Sequence, residues 1–321
     1  MTTHQTEAGP VSLSERAGDA AYALGWAVVR KMPERLARRL FDRLADRTWE
    51  RRGRGVRQLE KNLSRVLGKD AVDDDVRGLS KKAMRSYLRY WLEAFRLPET
   101  SRERILSGMR ISGHEKLFGT VESGRGVVAA LPHMGNYEQA GAWLIHMGQP
   151  LTTVVERLKP ESLFRRFVEF REGLGFEILA HTGDEREVFA TLAQRLRDGG
   201  VVCLVADRDL SERGVEVEFF GRPARMPAGP AALAVQTGAA LMPATLWYEG
   251  QHWGARVHEE IPVPDEGDEQ SKISVMTQQL ARAYEEGIAA HPEDWHMLQR
   301  VWLEDLHGDT ARPRHDEASG Q

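Results

Sequence analysis

The stretch LPHMGNYEQAG (Leu131–Gly141) sets a histidine and a glutamate five positions apart, with Gly135 and Asn136 between them. His133 follows Pro132 at the end of the apolar run GVVAAL, and Tyr137 opens an amphipathic segment, so the imidazole stands where a strand gives way to a helix. Imidazole is the side chain best matched to taking a proton near neutral pH. Glu138, in the first helical turn, can reach back to the ring N–H, fix its tautomer and balance the imidazolium charge. Gly135 and Asn136 tolerate unusual backbone angles and bring N–H groups to a helix N-terminus, a contact for an oxyanion or a phosphate. A strand-end histidine beside a helix-capping glutamate accounts for the same letters, and position alone does not separate the two readings.

Two further sets carry chemistry. Asp207, Arg208 and Asp209 follow the apolar run VVCLVA. Acids at a strand end can bind a sugar hydroxyl, a metal or a catalytic histidine, or simply close a salt-bridged loop. In FFGRPARMPAGPAALA (Phe219–Ala234), Arg222 and Arg225 precede an Ala-rich helix, which suits a phosphate or acidic headgroup, although Gly and Pro there also make a turn. Arg157, Lys159, Arg165, Arg166 and Arg171 surround another helical segment, and Arg171, just ahead of GLG, is the member assigned to the site.

The elements that must position these residues alternate. Strands are expected at Gly126–Leu131, Leu151–Val155, Phe176–Leu179, Val201–Ala206, Val215–Phe219, Leu241–Trp247 and Ala255–Ile261. Helices are expected near Tyr137–Met147, Glu161–Gly173, Asp184–Asp198, Gly229–Thr237 and Ser271–Ala289. This pattern predicts an α/β fold, a mostly parallel or mixed central sheet flanked by helices, whose site gathers at the carboxyl ends of the strands. Residues 20–96 read as helical: Met32, Leu36, Leu40 and Leu44 recur every fourth residue beside Ala37 and Phe41, and a second helix over Val76–Phe95 turns Leu79, Ala83, Tyr87, Tyr90, Trp91 and Ala94 inward. Residues 19–306 form one domain, with residues 1–18 and 307–321 as disordered tails.

Charge is distributed unevenly. The net charge is −4, yet residues 30–65 hold thirteen Lys and Arg against five acids, a local +8 that leaves −12 for the remainder. Such a block seeks a partner of opposite sign. Tyr22 and Trp26 nearby suit a lipid interface, and Trp91 and Trp247 suit core positions. The longest early apolar piece, AAYALGWAVV, is about half of the ~20 residues that span a bilayer, and the polar start before it is not expected to act as a signal peptide. The lone Cys203 lies in an apolar run, as expected of a buried thiol in a reducing compartment. No G-x-S-x-G, P-loop, zinc motif or properly placed dinucleotide fingerprint is present, so no metal and no cofactor are expected; no recognised nucleic-acid module accompanies the basic block.

The H-x4-E of His133 and Glu138, the acidic strand end and the F-x-G-x-x-x-x-M-P-A-G-P segment, in that order, resemble the glycerophosphate and lipid A acyltransferase superfamily over residues 20–303. Within it the chain is similar to the lipid A late acyltransferase branch. Glutamate rather than aspartate at the fifth position, and a short amphipathic start in place of a membrane helix, resemble its actinobacterial members that acylate phosphatidylinositol mannosides. The resemblance implies transfer of a long acyl chain, palmitoyl, from acyl-CoA as co-substrate to the 6-hydroxyl of a mannose on mannosylated phosphatidylinositol. It implies His133 as general base with Glu138 orienting it, and Asp207, Asp209 and Asn136 on the acceptor side. Arg171, Arg208 and Arg225 would contact phosphate on acyl-CoA or the acceptor. It also implies a peripheral enzyme on the anionic cytoplasmic face of the inner membrane. Arg35, Arg38, Arg39 and Arg43 would dock it there, since each basic residue near such a surface contributes about 1 kcal/mol. Another glycolipid or a lysophospholipid as acceptor, water as acceptor, and a non-catalytic lipid-binding protein of the same fold stay open.

Overall fold

Short apolar runs, several rich in valine, become the strands, because β-branched side chains fit a pleated surface covered on both faces. The computed structural model describes residues 28–155, 161–180, 185–209 and 213–307. The expected tails apart from His307, together with Tyr22, Trp26, Arg157 and Lys159, lie outside the described residues.

The chain opens with α1 (Glu34–Glu50), α2 (Arg54–Val66), α3 (Asp74–Arg96) and the short α4 (Arg102–Gly108). Then β1 (Met109–Ser112), α5 (His114–Glu122), β2 (Val127–Leu131), α6 (Tyr137–His146) and β3 (Leu151–Val155) follow, and after them α7 (Glu161–Gly173), β4 (Glu177–Ala180), α8 (Glu185–Arg197) and β5 (Val201–Val205). The last part holds β6 (Val215–Phe219), β7 (Arg222–Met226), α9 (Gly229–Thr237), β8 (Ala240–Glu249), β9 (His252–Val257), α10 (Glu269–Ala290) and α11 (Leu303–His307).

Seven strands form one sheet in the order β1-β9-β8-β2-β5-β3-β4. From β8 to β4 every pairing is parallel, whereas β9 runs antiparallel to β8 and carries β1 parallel to itself. β6 and β7 form a separate antiparallel hairpin. Alternation along β2 sends Val127 and Ala129 to one apolar cluster and Val128 and Ala130 to another. The first is closed by Ile105, Leu117, Trp143 and Phe176, the second by α8, α9 and α10 through Leu192, Leu233 and Leu280. Sheet and helices thus make the expected layered α/β arrangement.

Two strands were not expected. β1 has only two apolar residues in four, and β7 contains Pro223 and two arginines. Both lie where a strand needs little apolar content, β1 at the edge of the large sheet and β7 in a two-stranded hairpin.

The basic segment divides in two. On α1 the side chains turned into the protein are Ala37, Phe41 and Ala45, while Leu36, Leu40 and Leu44 stay 53%, 38% and 41% exposed. Arg35, Arg39 and Arg43 are exposed alongside these leucines. Farther on, the cations are used internally. Arg65 is buried against Asp305 on α11, at 2.6 and 2.9 Å, Lys61 pairs with the same carboxylate, and Arg52 pairs with the buried Glu60 at 2.9 Å.

Candidate active site

Parallel pairing of β2 with β5 explains how two distant residues meet. The register sets Leu131 opposite Val205, so the residues two positions beyond each strand end, His133 and Asp207, face one another. His133 Nδ1 lies 2.5 Å from Asp207 Oδ1. Asp207 Oδ2 accepts the backbone N–H of His133 at 2.9 Å and the indole N–H of Trp295 at 2.9 Å. Asp207 has no solvent exposure, and burial by itself would raise its carboxyl. The charge and hydrogen bond of His133, with the N–H donors of Trp295 and the His133 backbone, outweigh that and hold it below the ordinary aspartate value. An ionised carboxylate only accepts, so Nδ1 carries a proton, and in the neutral ring Nε2 keeps its lone pair. The His133 side chain is 38% exposed, which leaves that lone pair within reach of a substrate.

The loop that carries His133 is strapped from behind. Gly135 donates its N–H to the Asp294 carbonyl at 2.9 Å, His296 donates to the His133 carbonyl at 2.7 Å, and Met134 bridges Trp295. Gly135 takes φ +58°, and a β-carbon there would stand 2.7 Å from the Leu246 carbonyl carbon, so only glycine lets the loop pass this close to β8. Its N–H is occupied by Asp294 and does not point at an oxyanion as expected.

Glu138 corrects a second expectation. Its carboxylate, 2% exposed, is gripped by Arg171, whose Nε lies 3.1 and 3.0 Å from Oε1 and Oε2, and it also accepts from the Tyr90 hydroxyl at 3.2 Å. The helical turn carries the Glu138 side chain toward α7 and α3, and the carboxylate bonded to His133 is that of Asp207. Arg171 therefore balances a buried acid; burial alone would lower its basicity, and Glu138 raises it above the ordinary arginine value. Asn136 caps α6, accepting from Gln139 N at 3.0 Å, and donates to Glu93 at 2.9 Å, so this buried amide is spent on the fold and does not line the acceptor side as expected. Arg225 sits on β7, pairs with Glu216 at 3.3 Å across the hairpin, and is not among the residues that line the cavity described next.

His133 opens onto a cavity of about 800 Å³. Glu138, Arg171, Arg208 and Asp209 join it in the lining, which elsewhere is mostly apolar. Phe118, Trp143, Phe176 and Cys203 come from the α5–α6 side of the sheet, and Val188, Phe189, Leu192 and Leu204 from the α8 side. Asp209 accepts the Gly214 N–H at 2.8 Å, and Arg208 Nε is enclosed without a hydrogen-bond partner among the described residues. Burial pushes the Cys203 thiol up to about 12, so it is apolar lining and not a nucleophile. Trp295 and His296 were missed by sequence reasoning, because HPEDWHMLQRVW lacks both helical and strand periodicity and its role appears only once it crosses behind β2.

An aspartate-backed imidazole at the mouth of a long apolar cavity is suited to base-assisted transfer of a fatty acyl group. Residues 9–304 match the model of the bacterial lipid A biosynthesis acyltransferases. The chain belongs to that family. Among proteins similar to this acyltransferase is the phosphatidylinositol mannoside acyltransferase of Mycolicibacterium smegmatis, 47% identical over 311 residues, which cover 96% of this chain and 99% of that one. The phosphatidylinositol mannoside acyltransferase of Mycobacterium tuberculosis is 48% identical over 299 residues, or 92% of each chain.

Proposed function

We propose that this acyltransferase moves a palmitoyl group from acyl-CoA to the 6-hydroxyl of a mannose on mannosylated phosphatidylinositol. The observation that carries the reading is the His133–Asp207 pair facing the apolar cavity; the names of the two similar mycobacterial proteins supply the acceptor. His133 Nε2 takes the hydroxyl proton as the oxygen attacks the thioester carbonyl. The tetrahedral intermediate collapses with loss of the CoA thiolate, which receives the proton from His133. Asp207 fixes the tautomer and stabilises the transient imidazolium. The tail lies along the Trp143, Phe176 and Phe189 lining. In this reading Arg208, an enclosed cation on the cavity wall, contacts a phosphate and Asp209, also in the lining, meets the sugar. A thioester is already activated, so a positioned base suffices.

The acceptor lives in a bilayer, and α1 offers a way to reach it. Leu36, Leu40 and Leu44 form an exposed apolar row flanked by Arg35, Arg39 and Arg43, the pattern of a helix that lies in a membrane interface. Arg38 belongs less to this face, being half-buried and paired with Glu34 at 2.9 Å. Among the described residues no helix is long and apolar enough to cross a membrane, and peripheral docking on an anionic surface is part of the proposal.

Mass spectrometry of the product from palmitoyl-CoA and purified mannosylated phosphatidylinositol tests the reaction. A single palmitoyl ester on mannose is expected, and CoA release independent of the sugar lipid would overturn the reading. His133→Ala should abolish transfer in a folded protein, and near-wild-type turnover would rule out the base.

A further inference from the structure

A second imidazole faces the same cavity, held by two side chains that the acyl-transfer step does not use. Ser86 on α3 is buried, with Oγ 2.5 Å from Asp294 Oδ1 and 2.8 Å from His296 Nε2. Asp294 Oδ2 accepts the Tyr248 N–H at 2.8 Å, which fixes the carboxyl plane. His296 is 6% exposed, packs against the rings of Tyr87 and Tyr90, and lines the cavity with His133. Among the described residues no hydrogen bond reaches its Nδ1, and that nitrogen is not fully enclosed. Because the ring lines the cavity and Nε2 is committed to Ser86, Nδ1 is the ring nitrogen left to meet a ligand there.

Proton counting along this chain sets the character of Nδ1. Ser86 has one proton to give. Burial pushes Asp294 up to about 6 and His296 down to about 3, so near neutral pH a carboxylate and a neutral imidazole flank the hydroxyl. The carboxylate can only accept and therefore takes the Ser86 proton; Ser86 Oγ then accepts from His296 Nε2–H. Nδ1 is left with a lone pair.

We propose that Asp294 and Ser86 are positioning residues that hold His296 as its Nε2–H tautomer, so that Nδ1 accepts a hydrogen bond from a second hydroxyl of a polyhydroxylated acceptor. This rests on the acyl-transfer reading and deepens it. His133 deprotonates one hydroxyl while His296 receives its neighbour, which orients the sugar and favours a polyol over an alcohol with a single hydroxyl. A site built to receive a hydroxyl discriminates strongly against the analogue that lacks it.

Asp294→Asn tests the idea, because the amide can still accept from Tyr248 N–H through oxygen while its NH2 donates to Ser86. Ser86, its proton no longer drawn to a carboxylate, is freed to donate to Nε2, which favours the Nδ1–H tautomer of His296. Nitrogen NMR of histidine-labelled protein reads the tautomer without turnover: Nε2–H is expected in the wild type and Nδ1–H in the variant. The KM for mannosylated phosphatidylinositol should rise about tenfold, the value of one hydrogen bond, with the KM for palmitoyl-CoA unchanged. Ser86→Ala, which removes the relay without adding a donor, should give mixed tautomers and the same direction in KM, and it stands in if Asp294→Asn does not fold. An Nδ1–H tautomer in the wild type, or a switched tautomer with an unchanged acceptor KM, overturns the proposal. Adding the acceptor lipid should also shift the wild-type Nδ1 resonance, and an unmoved resonance overturns the contact. If the resonance moves but no acyl group is transferred, the acyl-transfer reading fails and the hydroxyl contact stands.

Discussion

Asp207 has no contact with solvent, yet it stays ionised because N–H groups of the His133 ring, the His133 backbone and Trp295 all point at it. One oxygen meets the imidazole while the other is held by the His133 backbone and Trp295, which is what an orienting carboxylate requires. Glu138 is buried as deeply, but its counterion is Arg171. Removing one partner of a buried ion pair leaves the other charge uncompensated, at a cost of about 3–5 kcal/mol. Glu138→Gln should accordingly lower the melting temperature markedly, and Glu138→Gln combined with Arg171→Met should recover much of that loss. Thermal unfolding of the three variants checks this; a melting temperature unchanged by Glu138→Gln would show that the pair is not what holds α7 to α6.

At the level of elements, α2 is tied to α11 through Arg65, Lys61 and Gln58, which all converge on Asp305. Burial raises the Asp305 carboxyl, but the hydrogen bonds of these partners, Arg65 foremost, bring it down to about 2. A depressed carboxylate contributes stability above the unfolded-state value, near 4, and that stability is lost as pH falls toward about 2. Asp305→Asn should therefore be less stable than the wild type at neutral pH, with the difference closing between pH ~4 and ~2; denaturant midpoints across that range measure it. On α1, neutralising Arg35, Arg39 and Arg43 together should weaken capture by anionic vesicles roughly a hundredfold, at about 1 kcal/mol each, and indifference to lipid charge and salt would count against docking by this face. Much of this layout could be read from the letters. The short apolar runs announced seven strands, and the alternation with helices announced the class. What stayed hidden was pairing at a distance. Glu138 is near His133 in the chain, so a local argument chose it, whereas Asp207 lies 74 residues away and reaches the ring only because β5 is the sheet neighbour of β2. Asn136 and Arg225 carry chemically able groups, and only tertiary contacts show them committed to a helix cap and a hairpin.

Taken whole, the molecule places the His133–Asp207 pair where the sheet ends, beside a mostly apolar cavity, and carries a basic apolar helix on the surface. Filling the cavity should change which chains it accepts. Cys203→Phe adds bulk to the cavity lining and should shift preference from palmitoyl-CoA toward shorter acyl-CoA in competition assays, at a stability cost of about 1–3 kcal/mol for overpacking. The central claim is narrower: a base oriented by Asp207. It is tested most directly by the turnover number of Asp207→Asn with saturating palmitoyl-CoA and mannosylated phosphatidylinositol. An amide can donate to Nδ1 and stabilise the wrong tautomer, so kcat should fall by about 10⁴, as when the orienting carboxylate of a catalytic triad is made an amide, while the protein stays folded. A folded Asp207→Asn enzyme whose kcat lies within tenfold of the wild type would contradict the account.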